Sequence, residues 1–217
     1  MSEEAFWELL YTFQEALKGG KPVKREPPPG TLDIPAIAGQ VRECRRCSLA
    51  ESRNMPVPGD GVPDPLVMVI GEAPGSEEDR QGLPFVGAAG RYLDKWLAAI
   101  GLDRKTNTFI GNVIKCRPPN NRDPSLEEQE ACLPFLRSQV AALKPKVLLC
   151  VGRISAQILL ESSDGIGRLR GQVHEYEGIP LVATYHPSGV LRNPKYRRPV
   201  WEDLKLVKSL LDADTHE

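Results

Sequence analysis

The chain has 217 residues, with 28 Lys and Arg against 29 Asp and Glu, for a net charge of −1. That length suits one domain with a substantial core plus an appendage, and the composition is that of a soluble globular protein. No apolar run reaches the length of a membrane-spanning helix. The acidic Met-Ser-Glu-Glu opening lacks the basic region of a secretory signal, so the expected location is the cytoplasm.

Residues 3–17 place Phe6, Leu9, Leu10, Phe13 and Leu17 on one helical face, and residues 19–30 then break the pattern with glycine, proline and charge. This divides the chain into an N-terminal helix and Pro/Gly-rich linker over 1–30 and a main domain over 31–217. The helix either packs on its own domain or docks onto a protein partner. Residues 34–41 predict a short helix that delivers Cys44 and Cys47, followed by a loop over 56–65. The unbroken apolar run 66–70 predicts a buried strand, and Gly71-Glu72-Ala73-Pro74-Gly75 a tight loop after it. Phe85 stands between glycines and prolines in Gly82–Gly87, ahead of helical spacing through Leu93, Trp96, Leu97 and Ile100. Neither phosphate-loop signature is complete in this stretch.

A second strand is predicted over 109–114, with Asn112 near its end. The polar loop 117–122 leads to Ser125-Leu-Glu-Glu128, a capping-box pattern that predicts the start of a helix carrying Cys132. A third strand over 146–151 and a helix over 154–160 follow. Residues 172–176 suggest an extra edge strand, 181–185 a fourth strand ending at His186, and Pro199 with Trp201, Leu204, Val207 and Leu211 an amphipathic final helix. Apolar strands alternating with helices imply a three-layer α/β/α fold around a mostly parallel four-stranded sheet. Ligands collect at the C-terminal strand ends of such sheets. The glycine loop, Asn112 and His186 all fall at such ends, so one shared cleft is expected.

Five cysteines in such a chain do not read as a disulfide framework. Cys44 and Cys47 form a C-x₂-C pair in a basic context, and Cys116 and Cys132 add two more sulfurs. Four thiolates suit zinc or an iron–sulfur cluster. A single C-x₂-C knuckle, where zinc ribbons commonly use two, favours the cluster. Cys150 lies inside an apolar strand and reads as a small core residue.

Four segments in the same order, GEAPGSEED (71–79), GLPFVG (82–87), GNVIKCRPP (111–119) and HPSGVLRNP (186–194), closely resemble the family 4 uracil-DNA glycosylases of bacteria and archaea. The similarity runs from about Ile37 to the last helix. It implies a uracil-DNA glycosylase-like fold and a four-iron four-sulfur cluster on Cys44, Cys47, Cys116 and Cys132. It also implies a base-excision repair enzyme that acts on uracil-containing DNA, flips the base out and hydrolyses its glycosidic bond.

In that resemblance Phe85 stacks on the base and Asn112 reads its edge, since an amide offers a donor and an acceptor that match O4 and N3–H of uracil. His186 donates to O2, and Glu72 stands where related glycosylases position water. Glu78 and Asn120 or Asn121 are further polar candidates that the sequence does not rank, while Gly71, Ala73 and Gly75 supply backbone and space. Ser188, Val190, Leu191 and Arg192 form the expected DNA contact, with Val190 and Leu191 as the wedge that fills the vacated stack. Around them gather Arg168, Arg170, Lys195, Arg197 and Arg198, either a solvated face or a set of phosphate contacts.

No side chain is placed as a covalent nucleophile, and no lysine as a Schiff-base former. The expected enzyme is therefore a monofunctional hydrolase that leaves an abasic site; separately, a monomer is expected. The competing reading is a DNA-binding iron–sulfur module without catalysis, favoured if Glu72, Asn112 and His186 do not share a cleft.

Overall fold

The structure is a computed structural model that describes residues 33–213. The helix and linker expected over residues 1–30 lie outside the described residues.

Three of the four long parallel strands are buried along their whole length and the fourth over its last four residues, and their side chains alternate between two cores. In β2 (Val67–Gly71), Met68 and Ile70 face one cluster while Val67 and Val69 face the other. The same split places Leu148 and Cys150 of β4 (Val147–Val151) opposite Val147, Leu149 and Val151. Cys150 is thus the core residue its surroundings predict.

The first cluster is covered by α1 (Ile34–Glu43) and α5 (Leu126–Leu143), with α6 (Arg153–Leu159) and α7 (Ile166–Leu169) beside them. The second is covered by α4 (Ala88–Ala99), α8 (Pro187–Arg192) and α9 (Arg197–Ala213). Two short helices, α2 (Leu49–Ser52) and α3 (Ser76–Gln81), lie in the connections.

The expected three layers are present, but the sheet is larger than the four strands read from the sequence. Among the described residues it has six strands, in the order β1-β3-β2-β4-β6-β5. β3 (Thr108–Asn112), β2, β4 and β6 (Ile179–Thr184) run parallel, and two antiparallel edges complete the sheet: β1 (Asp60–Gly61) on β3 and β5 (Val173–Tyr176) on β6. β5 matches the edge strand suggested over 172–176. β1 is only two residues long, inside what reads as a proline-rich loop, and so has no periodicity to detect.

The direction of winding reverses at β2: the next strand in the chain, β3, lies on one side of it in the sheet and the one after that, β4, on the other. That is the switch point at which open α/β sheets bind ligands. The final helix is amphipathic as expected, with Val200, Leu204 and Val207 inside. Trp201, read as part of its apolar face, is 44% exposed.

Candidate active site

Gly71 ends β2 directly opposite Asn112, which ends β3. A side chain at Gly71 would overlap Asn112 Oδ1 and come within 2.7 Å of the Phe85 ring, so glycine is what lets the amide and the ring meet there. The pairing continues past the ladder: Val113 N–H donates to the Gly71 carbonyl at 3.0 Å and Ile114 N–H to the Glu72 carbonyl at 2.9 Å. The segment carrying Asn112 and the loop carrying Glu72 are therefore fixed to each other. Asn112 is 1% exposed, and its Oδ1 has no hydrogen-bond partner. An orphaned buried amide oxygen is costly, and a ligand edge would satisfy it whichever way the amide is turned.

Phe85 adopts a left-handed backbone (φ 52°), a conformation that costs on the order of 1 kcal/mol or more for an aromatic residue. Three devices hold it. Arg104 Nη1 donates to the Pro84 carbonyl and Nη2 to the Phe85 carbonyl, both at 3.1 Å, and Arg104 is itself anchored to Asp94 at 2.7 Å. Glu78 Oε1 accepts from the backbone N–H groups of Val86 and Gly87, both at 2.9 Å. Gly90 leaves room for the Phe85 carbonyl, which any Cβ at that position would overlap. The ring lies 5.8 Å from that of His186, tilted by 32°. Asn112, Gly71, Phe85 and His186 thus form one continuous surface across the sheet's C-terminal edge.

His186 caps α8. Ser188 N–H donates to its Nδ1 at 3.2 Å, and the Ser188 hydroxyl lies 2.8 Å from the same nitrogen. A nitrogen that accepts from a backbone N–H carries its lone pair, so the proton sits on Nε2. Burial pulls the imidazole down to about 4; the Arg192 charge acts the same way and Glu78 opposes it. At neutral pH the ring is a neutral Nε2–H donor.

Glu72 is half-buried. Desolvation, followed by the Asp123 charge, raises its carboxyl to about 6, with Arg153 opposing. Asp123 and Arg153 themselves form an ion pair at 2.6 Å.

The other residues named from the sequence fall into place unevenly. Glu78 spends one oxygen on the Phe85 loop. Gly75 keeps a 2.7 Å clearance for the other, as measured from where its Cβ would stand. Ala73 packs against the first core. Asn121 is exposed, left-handed (φ 53°) and accepts from Arg117 Nε at 2.8 Å.

Val190, read as part of the wedge, is 0% exposed and belongs to the second core, whereas Leu191 is 45% exposed. Only Leu191 of that pair presents a side chain to the surface. Arg192, Lys195, Arg197 and Arg198 are exposed around it. Arg170 instead clamps the buried Asp203 at 2.7 Å, and Arg168 pairs with Asp164 at 3.1 Å.

The four cysteines read as ligands line one small cavity, together with Arg53, Lys115 and Phe135. Arg53 Nη1 donates to Cys116 Sγ at 2.9 Å, and its Nη2 to the Cys44 carbonyl at 2.8 Å. Lys115 N–H donates to Cys132 Sγ at 3.2 Å. Burial pushes the Cys116 thiol up and Cys132 up to about 12. Among the described residues, no three Cys, His, Asp or Glu side chains are close enough to share a single metal ion. Four soft sulfurs spread around a cavity, with N–H donors directed at two of them, suit a multi-metal cluster better than one tetrahedral ion.

Sequence reasoning passed over Arg104, Arg53 and Lys115. Lys115 alone left a signal, a lysine inside the apolar run that leads to Cys116.

Residues 58–205 match the family model described as the uracil DNA glycosylase superfamily. The chain is 42% identical over 182 residues to the type-4 uracil-DNA glycosylase of Archaeoglobus fulgidus, covering 80% of this chain and 91% of that one. The Pyrobaculum aerophilum type-4 enzyme is 42% identical over 81% of this chain and 93% of its own length. For that of Saccharolobus solfataricus the identity is 40%, with coverage of 84% and 87%. No helix among the described residues is long and apolar enough to cross a membrane. The chain belongs to the uracil DNA glycosylase superfamily, in its type-4 family.

Proposed function

We propose that this chain is a DNA base-excision repair enzyme that removes uracil with water as the nucleophile and leaves an abasic site. The observation that carries the reading is the buried, unpartnered Asn112 Oδ1 at the strand end it shares with Gly71 and the Phe85 ring. An amide there accepts from uracil N3–H and donates to O4, and mismatches the amino group of cytosine.

Phe85 offers its face to the flipped base. The His186 Nε2–H donates to O2 as negative charge develops on the departing uracil, a task for which a neutral imidazole suffices. Ionised Glu72 orients the attacking water and stabilises the oxocarbenium-like sugar. Glu78 acts through the loop it holds, and Asn121 is left to contacts at the rim. Leu191 fills the vacated stack, with Arg192 and the exposed cations beside it on phosphates.

Cys44, Cys47, Cys116 and Cys132 would hold a four-iron four-sulfur cluster. Its chemistry there is to bind four sulfurs and pin the loops before residue 56 and around 116–132, since glycosidic hydrolysis transfers no electrons. A non-catalytic DNA-binding module is not favoured, because the relatives are type-4 uracil-DNA glycosylases, and the grouping of Gly71, Asn112 and His186 around the Phe85 ring supports a shared cleft.

The test is a uracil-containing duplex oligonucleotide incubated with the protein and then cleaved with alkali, with His186→Ala and Asn112→Ala run beside it. Strand breaks only after alkali, reduced about 100-fold or more in each variant, are expected. Intact DNA from a folded, cluster-bearing protein would sink the reading.

A further inference from the structure

Lys115 is 1% exposed, and no step of the proposed reaction uses it. Its ammonium donates to the Asn112 carbonyl at 2.7 Å and to Gln139 Oε1 at 2.6 Å, both neutral acceptors. A buried cation with no carboxylate partner among the described residues is an expensive way to fill space that a methionine would fill equally well. The rest of the residue is equally committed. Its N–H goes to Cys132 Sγ at 3.2 Å, and its carbonyl accepts from Val57 N–H at 2.7 Å. Gln139 is held in turn by the Pro58 carbonyl at 2.7 Å.

Asn112 is the last residue of β3. Its carbonyl finds its donor in the Lys115 side chain three residues on, and with it the peptide from which the amide projects is held. An amide that must match a donor and an acceptor on one base edge tolerates little rotation of that peptide.

We infer that Lys115 is a positioning residue for base recognition: its ammonium fixes the Asn112 peptide, and through it the orientation of the amide edge that meets uracil. The inference rests on the function proposed above for Asn112.

The experiment measures inhibition of the holoenzyme by free uracil in four forms: the parent, Asn112→Ala, Lys115→Met and the double variant. Affinity for abasic DNA and circular dichroism are recorded for each. Lys115→Met is expected to weaken uracil inhibition about tenfold with abasic-DNA affinity unchanged, and to add less than about twofold in the Asn112→Ala background. An equal loss in both backgrounds, or no loss beside Asn112, overturns the inference while leaving the Asn112 reading intact. Unchanged uracil inhibition in Asn112→Ala overturns both. Should Lys115→Met fail to fold, Gln139→Met removes one of the ammonium's two acceptors and takes its place in the cycle. A loss of about threefold that vanishes in the Asn112→Ala background is then expected, and an equal loss in both backgrounds overturns the inference.

Discussion

Asn112 and Cys116 lie on one short segment, yet the regions they serve are built in opposite ways. On the Asn112 side the protein supplies every constraint itself. A strained Phe85 backbone is held by Arg104 and Glu78, and His186 is locked in one tautomer by Ser188. On the Cys116 side, sulfurs sit beside a cavity with burial raising two of their pKa values, Cys132 to about 12, and only two N–H donors directed at them. The first region is preorganised. The second is a set of ligands whose ionised form needs more positive charge than Arg53 and Lys115 supply, since burial outweighs both.

The strongest way to break that contrast is Cys132→Ser. If the cysteine region depends on its guest, the variant loses visible absorption and more than about 4 kcal/mol of stability in denaturant unfolding. An unchanged midpoint would make the cavity as self-sufficient as the pocket.

Gly71→Ala tests the other side. The new methyl displaces Asn112 or Phe85, and kcat/KM for uracil excision should fall about 100-fold while thermal unfolding moves little. Activity near the parent's would show that the clearance is not needed.

The pH profile then separates the pocket's two titrating groups. A carboxyl raised to about 6 is ionised above that pH, so kcat/KM should fall about tenfold per unit as pH drops below about 6. Glu72→Gln should be slower and lack this limb. His186, held near 4, contributes no limb around 6. A limb that persisted in Glu72→Gln would assign it elsewhere.

The smallest effect concerns the wedge. Leu191→Ala should lower excision from duplex DNA by about tenfold or less and leave stability unchanged. Val190→Ala should cost about 1–3 kcal/mol of stability with normal activity in the folded fraction.

That last pair shows where sequence reading ends. HPSGVLR was read as a DNA contact with an apolar wedge, but its helix was not read, and which of two adjacent apolar residues points inward depends on helix phase. The His186 cap and Pro187 at the first turn set that phase. The Ser125–Glu128 capping box was legible because its geometry is local, and both of its hydrogen bonds are present. The four central strands were legible as apolar runs. β1 was not, because a two-residue strand exists only through its partner. Arg104, Arg53 and Lys115 act on backbone carbonyls or sulfurs brought close only by folding, and one sequence carries no periodicity that marks such a role.

The sheet order also bears on how the molecule is made. β2 pairs only with strands that begin about 40 and 80 residues further along the chain, and His186 arrives at the end of a still later strand. On a ribosome, the glycine loop emerges about 40 residues before Asn112 and more than 100 before His186. The surface shared by Gly71, Phe85, Asn112 and His186 therefore has no complete precursor in any short stretch of the chain.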